Sequence, residues 1–99
     1  INDSQVKRLE SEIDDMNSKL KPLKSFVLPG GSDISTYLHL CRTICRRAER
    51  LCVELSTIEE VNPNSTKYLN RLSDWLFVAS RISNDNGVGD ILWVPGANR

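Results

Sequence analysis

One stretch of the chain concentrates groups that can do chemistry: Ser35, His39, Arg42, Arg46, Glu49 and Arg50. On a helix, at about 100° per residue, the first five fall within about 80° of one another and Arg50 lies beside them. Arg47 points elsewhere. Arg42, Arg46 and Arg50 follow one another at i, i+4 and i+8. Like charges at that spacing repel, so the ridge needs anionic partners. It contains no lysine, and arginine is the residue suited to planar, two-pronged recognition of phosphate or carboxylate. Two readings stay open: a salt-bridge network at a helix or subunit interface, with Glu49 answering one arginine, or a polyanion site.

A second constellation lies further on. Asn70, Asp74 and Arg81 fall within about 40° on a helical wheel, with Phe77 near them. Asn70 has the amide to read a base or ribose edge, and Asp74 can pair with an arginine of the ridge; an ordinary polar bundle face is the competing reading. His39 is the only histidine, and is expected as a polar-face residue rather than an acid–base catalyst. Cys41, Cys45 and Cys52 lack zinc spacing and are expected as core residues. No metal site, nucleophile elbow or Walker loop is present in the sequence. Gly30-Gly31-Ser32 precedes a helix start, where free N–H groups suit an anion, although the same tripeptide is common as a plain turn and cap.

The elements that must position these groups are helical. Val6, Leu9, Ile13, Met16 and Leu20 recur at three- and four-residue steps, which predicts an amphipathic helix capped by Asn2, Asp3 or Ser4 and ended by Pro22. Residues 21–32 carry two prolines and two glycines and cannot be helical; yet Phe26, Val27 and Leu28 are apolar, so this loop should pack on something or line a site. Ser32 or Asp33 caps a second helix over 33–57, with Ile34, Leu38, Cys41, Cys45, Ala48 and Cys52 as its core stripe. Asn62-Pro63 breaks a turn at 58–65. A third helix over 65–84 buries Tyr68, Leu69, Leu72, Trp75, Leu76 and Ala79, and Asn86-Gly87 stops it. The tail is irregular, with Ile91, Leu92 and Trp93 available to dock. No strand is convincing. The pattern predicts an all-α antiparallel helical bundle forming a single domain over 1–99.

With 13 basic and 13 acidic side chains in 99 residues, global charge points to neither nucleic acid nor an anionic membrane. No apolar run approaches the roughly 20 residues needed to cross a bilayer. An odd, crowded set of cysteines fits reduced thiols in a cytoplasmic protein. The first residues resemble no signal peptide, there is no initiator Met, and the chain is expected to be a fragment whose assembly benefits from oligomerisation.

Three segments in order, F-V-L-P-G-G-S at 26–32, L-H-L-C-R-T-I-C-R-R-A-E-R at 38–50 and Y-L-N-R-L-S-D-W-L-F at 68–77, closely resemble the hallmarks of the PduO-type ATP:corrinoid adenosyltransferases. The tail G-D-I-L-W-V-P-G is similar to that family's C-terminal end. The resemblance implies a five-helix bundle, of which three helices are present here, assembled as a homotrimer with active sites between subunits. It implies transfer of the 5′-deoxyadenosyl group of ATP to cob(I)alamin with release of triphosphate, Mg2+ accompanying the nucleotide, and a flavoprotein reductase and an adenosylcobalamin-dependent enzyme as partners. By motif position, Arg46 matches the arginine at the ATP phosphates near the reacting carbon. Arg42 matches one that makes an intersubunit salt bridge with an N-terminal acidic residue. Glu49 matches a carboxylate of the same catalytic cluster, Arg50 a further basic member at ATP, and Asn70 an asparagine of the nucleotide site. Phe26 matches an aromatic that packs below the corrin and excludes its lower axial ligand.

The chain departs from the family in three places. A T-G-D-x-G nucleotide loop, with roughly the first two helices, is absent from these 99 residues, so this piece by itself is not expected to bind ATP properly. Cys41 stands where a small residue is usual, and Trp75 replaces a commoner aliphatic. The alternative function is a non-catalytic bundle that binds or delivers cobalamin. It needs Phe26 and its loop but not the arginine ridge.

Overall fold

The computed structural model describes residues 1–23 and 26–94. Three helices, α1 (Asp3–Asn17), α2 (Asp33–Ser56) and α3 (Pro63–Ile82), are joined by two short strands, β1 (Val27–Leu28) and β2 (Ile91–Leu92). The expected all-α bundle is therefore present, with one small addition, the strand pair, that the sequence reading did not foresee.

Local chemistry sets the helix ends. Asn2 begins α1 with a capping box: its Oδ1 accepts from Gln5 N at 3.3 Å, and Gln5 Oε1 accepts from Asn2 N at 2.9 Å, satisfying two otherwise orphaned donors. The helix stops at Asn17 rather than at Pro22, because Ser18 turns back on it, donating through Oγ to Asp15 O at 2.6 Å. Ser32 caps α2, accepting from Ser35 N. Asn62-Pro63 acts as a helix start rather than a breaker: Asn62 caps α3 and Pro63 is its first residue, where the missing N–H costs nothing.

α3 lies between the other two helices, which do not pack on each other. α2 runs antiparallel to it, since Ser35 meets Asn84 at one end and Glu49 meets Asn70 further along. α1 instead runs parallel to α3, since Asn62 reaches Ile1, Arg71 faces Glu10 and Arg81 reaches Lys21. The order is up–down–up, with the last helix in the middle.

The α1 stripe is borne out: Val6 is 2% and Leu9 8% exposed, and Ile13, Met16 and Leu20 are half-buried. On α3, Ala79 is buried and the other expected core residues are half-buried, while Ser73, Val78, Ser80 and Arg81 are buried as well. A central helix is covered on two sides, so its buried face exceeds one stripe.

The core stripe expected on α2 needs correction. Cys45 is buried, and Leu38, Ala48 and Cys52 are half-buried, but Ile34 and Cys41 are exposed. The face turned to α3 is rotated toward the polar ridge and includes Ser35 and His39, both buried. Tyr37, Leu40, Ile44, Leu51 and Leu55 are left as an exposed apolar face.

The loop before α2 and the chain after α3 meet. β1 and β2 pair antiparallel, Val27 opposite Leu92 and Leu28 opposite Ile91, so part of the tail docks, as its apolar residues predicted. Asp85, Asn86 and Gly87 all have positive φ (55°, 53° and 94°), and this left-handed turn brings the chain back from α3. Gly31 (φ 96°) lies against the Asn84 carboxamide, which any Cβ there would strike. The last tail residues, 95–99, and Lys24 and Ser25 of the loop lie outside the described residues. Among the described residues, no helix is long and apolar enough to cross a membrane.

Leu9→Ala in the full-length protein should lower stability by about 2–5 kcal/mol through lost burial and a residual cavity. Urea unfolding midpoints at unchanged m-value measure this, and a change below ~0.5 kcal/mol would show that α1 is not seated on α3.

Candidate functional site

α2 and α3 diverge enough along their polar faces to leave an open cleft of about 800 Å³. Arg42, Arg46, Glu49 and Arg50 line it from α2, and Asn70 and Asp74 from α3. The sequence-predicted ridge and its complementary face are thus brought together at one site. Both result from helical spacing, and the antiparallel packing of α2 on α3 makes them face each other.

The internal arrangement differs from the simple pairings expected. Glu49 answers no arginine; its Oε2 accepts from Asn70 Nδ2 at 3.2 Å. Asn70 Oδ1 in turn accepts from Arg71 Nη1 at 2.7 Å. Among the described residues Arg42, Arg46 and Arg50 have no carboxylate within 4.0 Å, so no salt-bridge network forms along the ridge within this chain. Asp74 is near enough to Arg42 to act on it electrostatically, without forming an ion pair.

Arg42 is half-buried. Its guanidinium lies over the Phe77 ring, 4.7 Å from the centroid, a cation–π contact, and its Nε is buried without a hydrogen-bond partner. Burial, reinforced by the neighbouring Arg46 charge and opposed by Asp74, pushes its pKa down from the ordinary arginine value. Arg46 and Arg50 are exposed to the cleft. Three cations on one wall, two of them in water and one partly desolvated, have the charge and geometry to take a multiply charged anion. An anion there would relieve their mutual repulsion and supply the acceptors they lack.

His39 departs from expectation. It is 3% exposed, set edge-on to Phe77 with ring centroids 6.3 Å apart, and its Nε2 is buried without a partner. Burial and the Arg42 charge lower its pKa below 6.5, with Asp90 opposing. Cys45 donates its thiol to Leu69 O at 3.2 Å; burial, with the Glu49 charge, raises its pKa and keeps it a thiol. Among the described residues no group of three or more His, Cys, Asp or Glu side chains could hold a metal ion. A Mg2+ here would have to be carried largely by the phosphates of a ligand, as this ion often is.

Phe26 lies on the loop rather than among the cleft-lining residues. The residue is 76% exposed, its ring packs edge-on against Trp93 at 6.1 Å, and its carbonyl accepts from Trp93 N at 2.7 Å. A large exposed aromatic held by its backbone is a ready-made apolar surface for a flat ligand.

The family model for cobalamin adenosyltransferase matches residues 1–83. The chain belongs to the cobalamin adenosyltransferase family. It is 50% identical over 99 residues to the corrinoid adenosyltransferase of Mycobacterium bovis, an alignment covering 97% of this chain and 50% of that protein. It is 45% identical over 92 residues to the corrinoid adenosyltransferase of Bacillus subtilis, covering 92% of this chain and 48% of that one. The fold superposes with a TM-score of 0.88 on a phenylalanine-to-histidine variant of the PduO-type ATP:corrinoid adenosyltransferase from Lactobacillus reuteri complexed with cobalamin and ATP. That match has 35% identity and covers 96% of this chain and 52% of that one. An arginine-to-lysine variant of the same enzyme type complexed with ATP gives a TM-score of 0.87 at 36% identity, covering 95% and 54%. The chain spans about half the length of the curated relatives it matches.

Sequence reasoning named Trp93 among the docking tail residues but did not single out the polar residues that hold the Phe26 loop: Arg81 as a buried ion, Asn84 and Asp90. The available signal was an asparagine at a helix end, followed by Asn86-Gly87 and then by Asp90 ahead of an apolar pair. Polar residues in such a stretch are usually solvated, so the pattern does not reveal burial.

Since His39 takes a proton less readily when folded than when unfolded, its contribution to stability is complete above pH 6.5. That contribution is lost as pH falls from there toward the folded-state pKa. Urea midpoints of the full-length protein should drop over this window, and His39→Gln should flatten the drop. An imidazole NMR titration centred at or above 6.5 would contradict the assigned environment.

Proposed function

We propose that the full-length protein transfers the 5′-deoxyadenosyl group of ATP to cob(I)alamin, forming adenosylcobalamin and releasing triphosphate. The observation that carries this reading is the wall of Arg42, Arg46 and Arg50, which lines the cleft without a carboxylate partner among the described residues. In the reaction, the cobalt(I) lone pair attacks the ribose C5′. A cobalt–carbon bond forms as the C5′–O bond breaks, and its electron pair leaves on the triphosphate. Negative charge therefore builds on the leaving phosphate oxygens. Preorganised guanidinium groups stabilise charge where it develops.

In this reading Arg46, exposed in the cleft, holds the phosphates nearest the reacting carbon, with Arg50 beside it. Asn70, already oriented by Glu49 and Arg71, meets the nucleoside. Glu49 holds Asn70 rather than neutralising an arginine, which leaves the cationic wall free for the triphosphate. Arg42, its Nε unsatisfied, takes an acidic partner from a neighbouring subunit of a homotrimer. The exposed apolar face of α2, including Leu40, Ile44 and Leu51, offers surface for that assembly or for the rest of the bundle. The remainder of the polypeptide supplies a T-G-D-x-G nucleotide loop. Mg2+ travels with the nucleotide, held by its phosphates.

Phe26 forms the apolar wall under the corrin. Removing the lower axial donor lowers the cobalt orbital that accepts the electron, so cobalt(I) becomes accessible, and a dry wall keeps water away. A cytoplasmic setting, with a flavoprotein reductase upstream and an adenosylcobalamin-dependent enzyme downstream, completes the proposal. A cobalamin carrier without catalysis would need the Phe26 loop but gains nothing from Arg46 and Arg50 left unpaired in the cleft.

Arg46→Ala in the full-length protein should lower anaerobic adenosylation of reduced cobalamin by on the order of 100- to 1000-fold, with an unchanged unfolding midpoint because the side chain is exposed. Arg46→Lys should recover only part of the rate, since an ammonium keeps the charge but loses the planar fork. Wild-type turnover in Arg46→Ala would show that this arginine is not at the phosphates.

A further inference from the structure

Asn84 follows α3 directly and is 4% exposed. Its carboxamide is fully used. Oδ1 accepts from Ser32 N at 2.8 Å; the two Nδ2 protons are shared among three acceptors, Ser35 Oγ at 2.8 Å, Gly30 O at 3.2 Å and Asp90 Oδ1 at 3.2 Å. Ser35, itself fully buried, passes its hydroxyl proton on to Gly30 O at 3.1 Å. One amide therefore joins three pieces of chain distant in sequence: the turn that follows Phe26, the first turn of α2, and the acid that opens the returning tail. Asp90 is fixed in turn by Arg81, whose Nε donates to its Oδ2 at 2.6 Å.

Phe26 is held from both ends of this arrangement. On one side the turn at Gly30–Ser32 is bonded to Asn84. On the other, Trp93 N bonds to Phe26 O, and β2 pairs with β1, on a tail whose start is anchored through Asp90 to the same Asn84 carboxamide. Among the described residues Asn84 is the side chain bonded to both anchors. Capping the end of α3 or the start of α2 would require neither the bond to Asp90 nor the bond to Gly30. Being 76% exposed, Phe26 has little packing of its own to fix it, so its place depends on these backbone anchors.

We propose that Asn84 is a positioning residue for Phe26: its carboxamide ties the β1 loop to the β2 tail and so sets the height and tilt of the Phe26–Trp93 aromatic shelf against the corrin. This rests on the reading of Phe26 as the wall below the corrin. Asn84 touches neither substrate. It acts through Phe26, and its loss should impair the cobalt chemistry while leaving nucleotide binding intact.

The test uses the full-length protein in a background where Trp93 is the only tryptophan, with Asn84→Ala, Ser35→Ala and Phe26→Ala compared. Three quantities are measured: acrylamide quenching of Trp93 emission, the visible spectrum of bound cob(II)alamin with ATP as a report of its lower axial ligand, and kcat with the KM for ATP. Asn84→Ala should expose Trp93, shift the cob(II)alamin spectrum toward the axially ligated form as Phe26→Ala does, and lower kcat by on the order of 100-fold at unchanged KM for ATP. Ser35→Ala, which removes one of the four bonds, should move all three in the same direction by less. Wild-type quenching, or a wild-type spectrum and kcat, in a folded Asn84→Ala protein overturns the proposal. If that variant does not fold, Ser35→Ala decides, and wild-type values there overturn it equally. If Phe26→Ala itself keeps the wild-type spectrum and kcat, the reading of Phe26 fails and the catalytic part of the proposal falls with it. The Trp93 quenching then records separately whether Asn84 holds the loop.

Discussion

The ion pair between Arg81 and Asp90 anchors much of the rest. Its atoms are 2.6 Å apart, and the two side chains are 9% and 2% exposed. Removing two charges from water is costly, and their attraction offsets that cost only when geometry is good and the remaining donors and acceptors are satisfied. Both partners have further bonds here: the second carboxylate oxygen of Asp90 takes the Asn84 amide, and an Arg81 Nη2 proton goes to Lys21 O. The pair thereby gathers the end of α1, the end of α3, the start of α2 and the returning tail at one end of the bundle. A loop rich in proline and glycine acquires a defined shape there without a hydrophobic core of its own.

At the other, wetter end of the α2–α3 seam the electrostatics are left unbalanced. Arg42, Arg46 and Arg50 share a wall with no carboxylate among the described residues in contact, and Glu49, which could have neutralised one, is engaged by Asn70. The two ends thus treat charge in opposite ways. Buried charge is paired and further hydrogen-bonded where it fixes a shape, and cleft charge is left unpaired within the described chain where a polyanion can complete it. Stacking Arg42 on Phe77 links the two regions, because Phe77 also packs on His39 in the interior.

The placement of α3 between α1 and α2 explains the distribution of apolar surface. A middle helix is buried on two sides, so small and polar side chains such as Ser73 and Ser80 are found inside, where they permit close approach. α2 has a partner on one side only. Its buried face is the one that meets α3, and its most apolar face, with Tyr37, Leu40 and Ile44, stays exposed. Hydrophobic periodicity therefore misplaced part of the buried face of α2, because burial is decided by which neighbours are present.

The residues that define the helices and the cleft were legible in the sequence by itself. Helical spacing and caps are local: Val6 and Leu9 mark the seated face of α1, Ser32 begins α2, and the Arg42–Arg46–Arg50 ridge follows from a period of about 3.6 residues. The family motifs at 26–32, 38–50 and 68–77 were equally legible, since they are contiguous strings. Only the tertiary structure decided that His39 is buried, that Ile34 and Cys41 are not, and that Glu49 binds Asn70 instead of an arginine. It also decided that two dipeptides 64 residues apart pair as strands. Each of these depends on partners distant along the chain, and two-residue strands carry no period of their own. An asparagine with four partners up to 54 positions away has in sequence the same appearance as one that merely ends a helix.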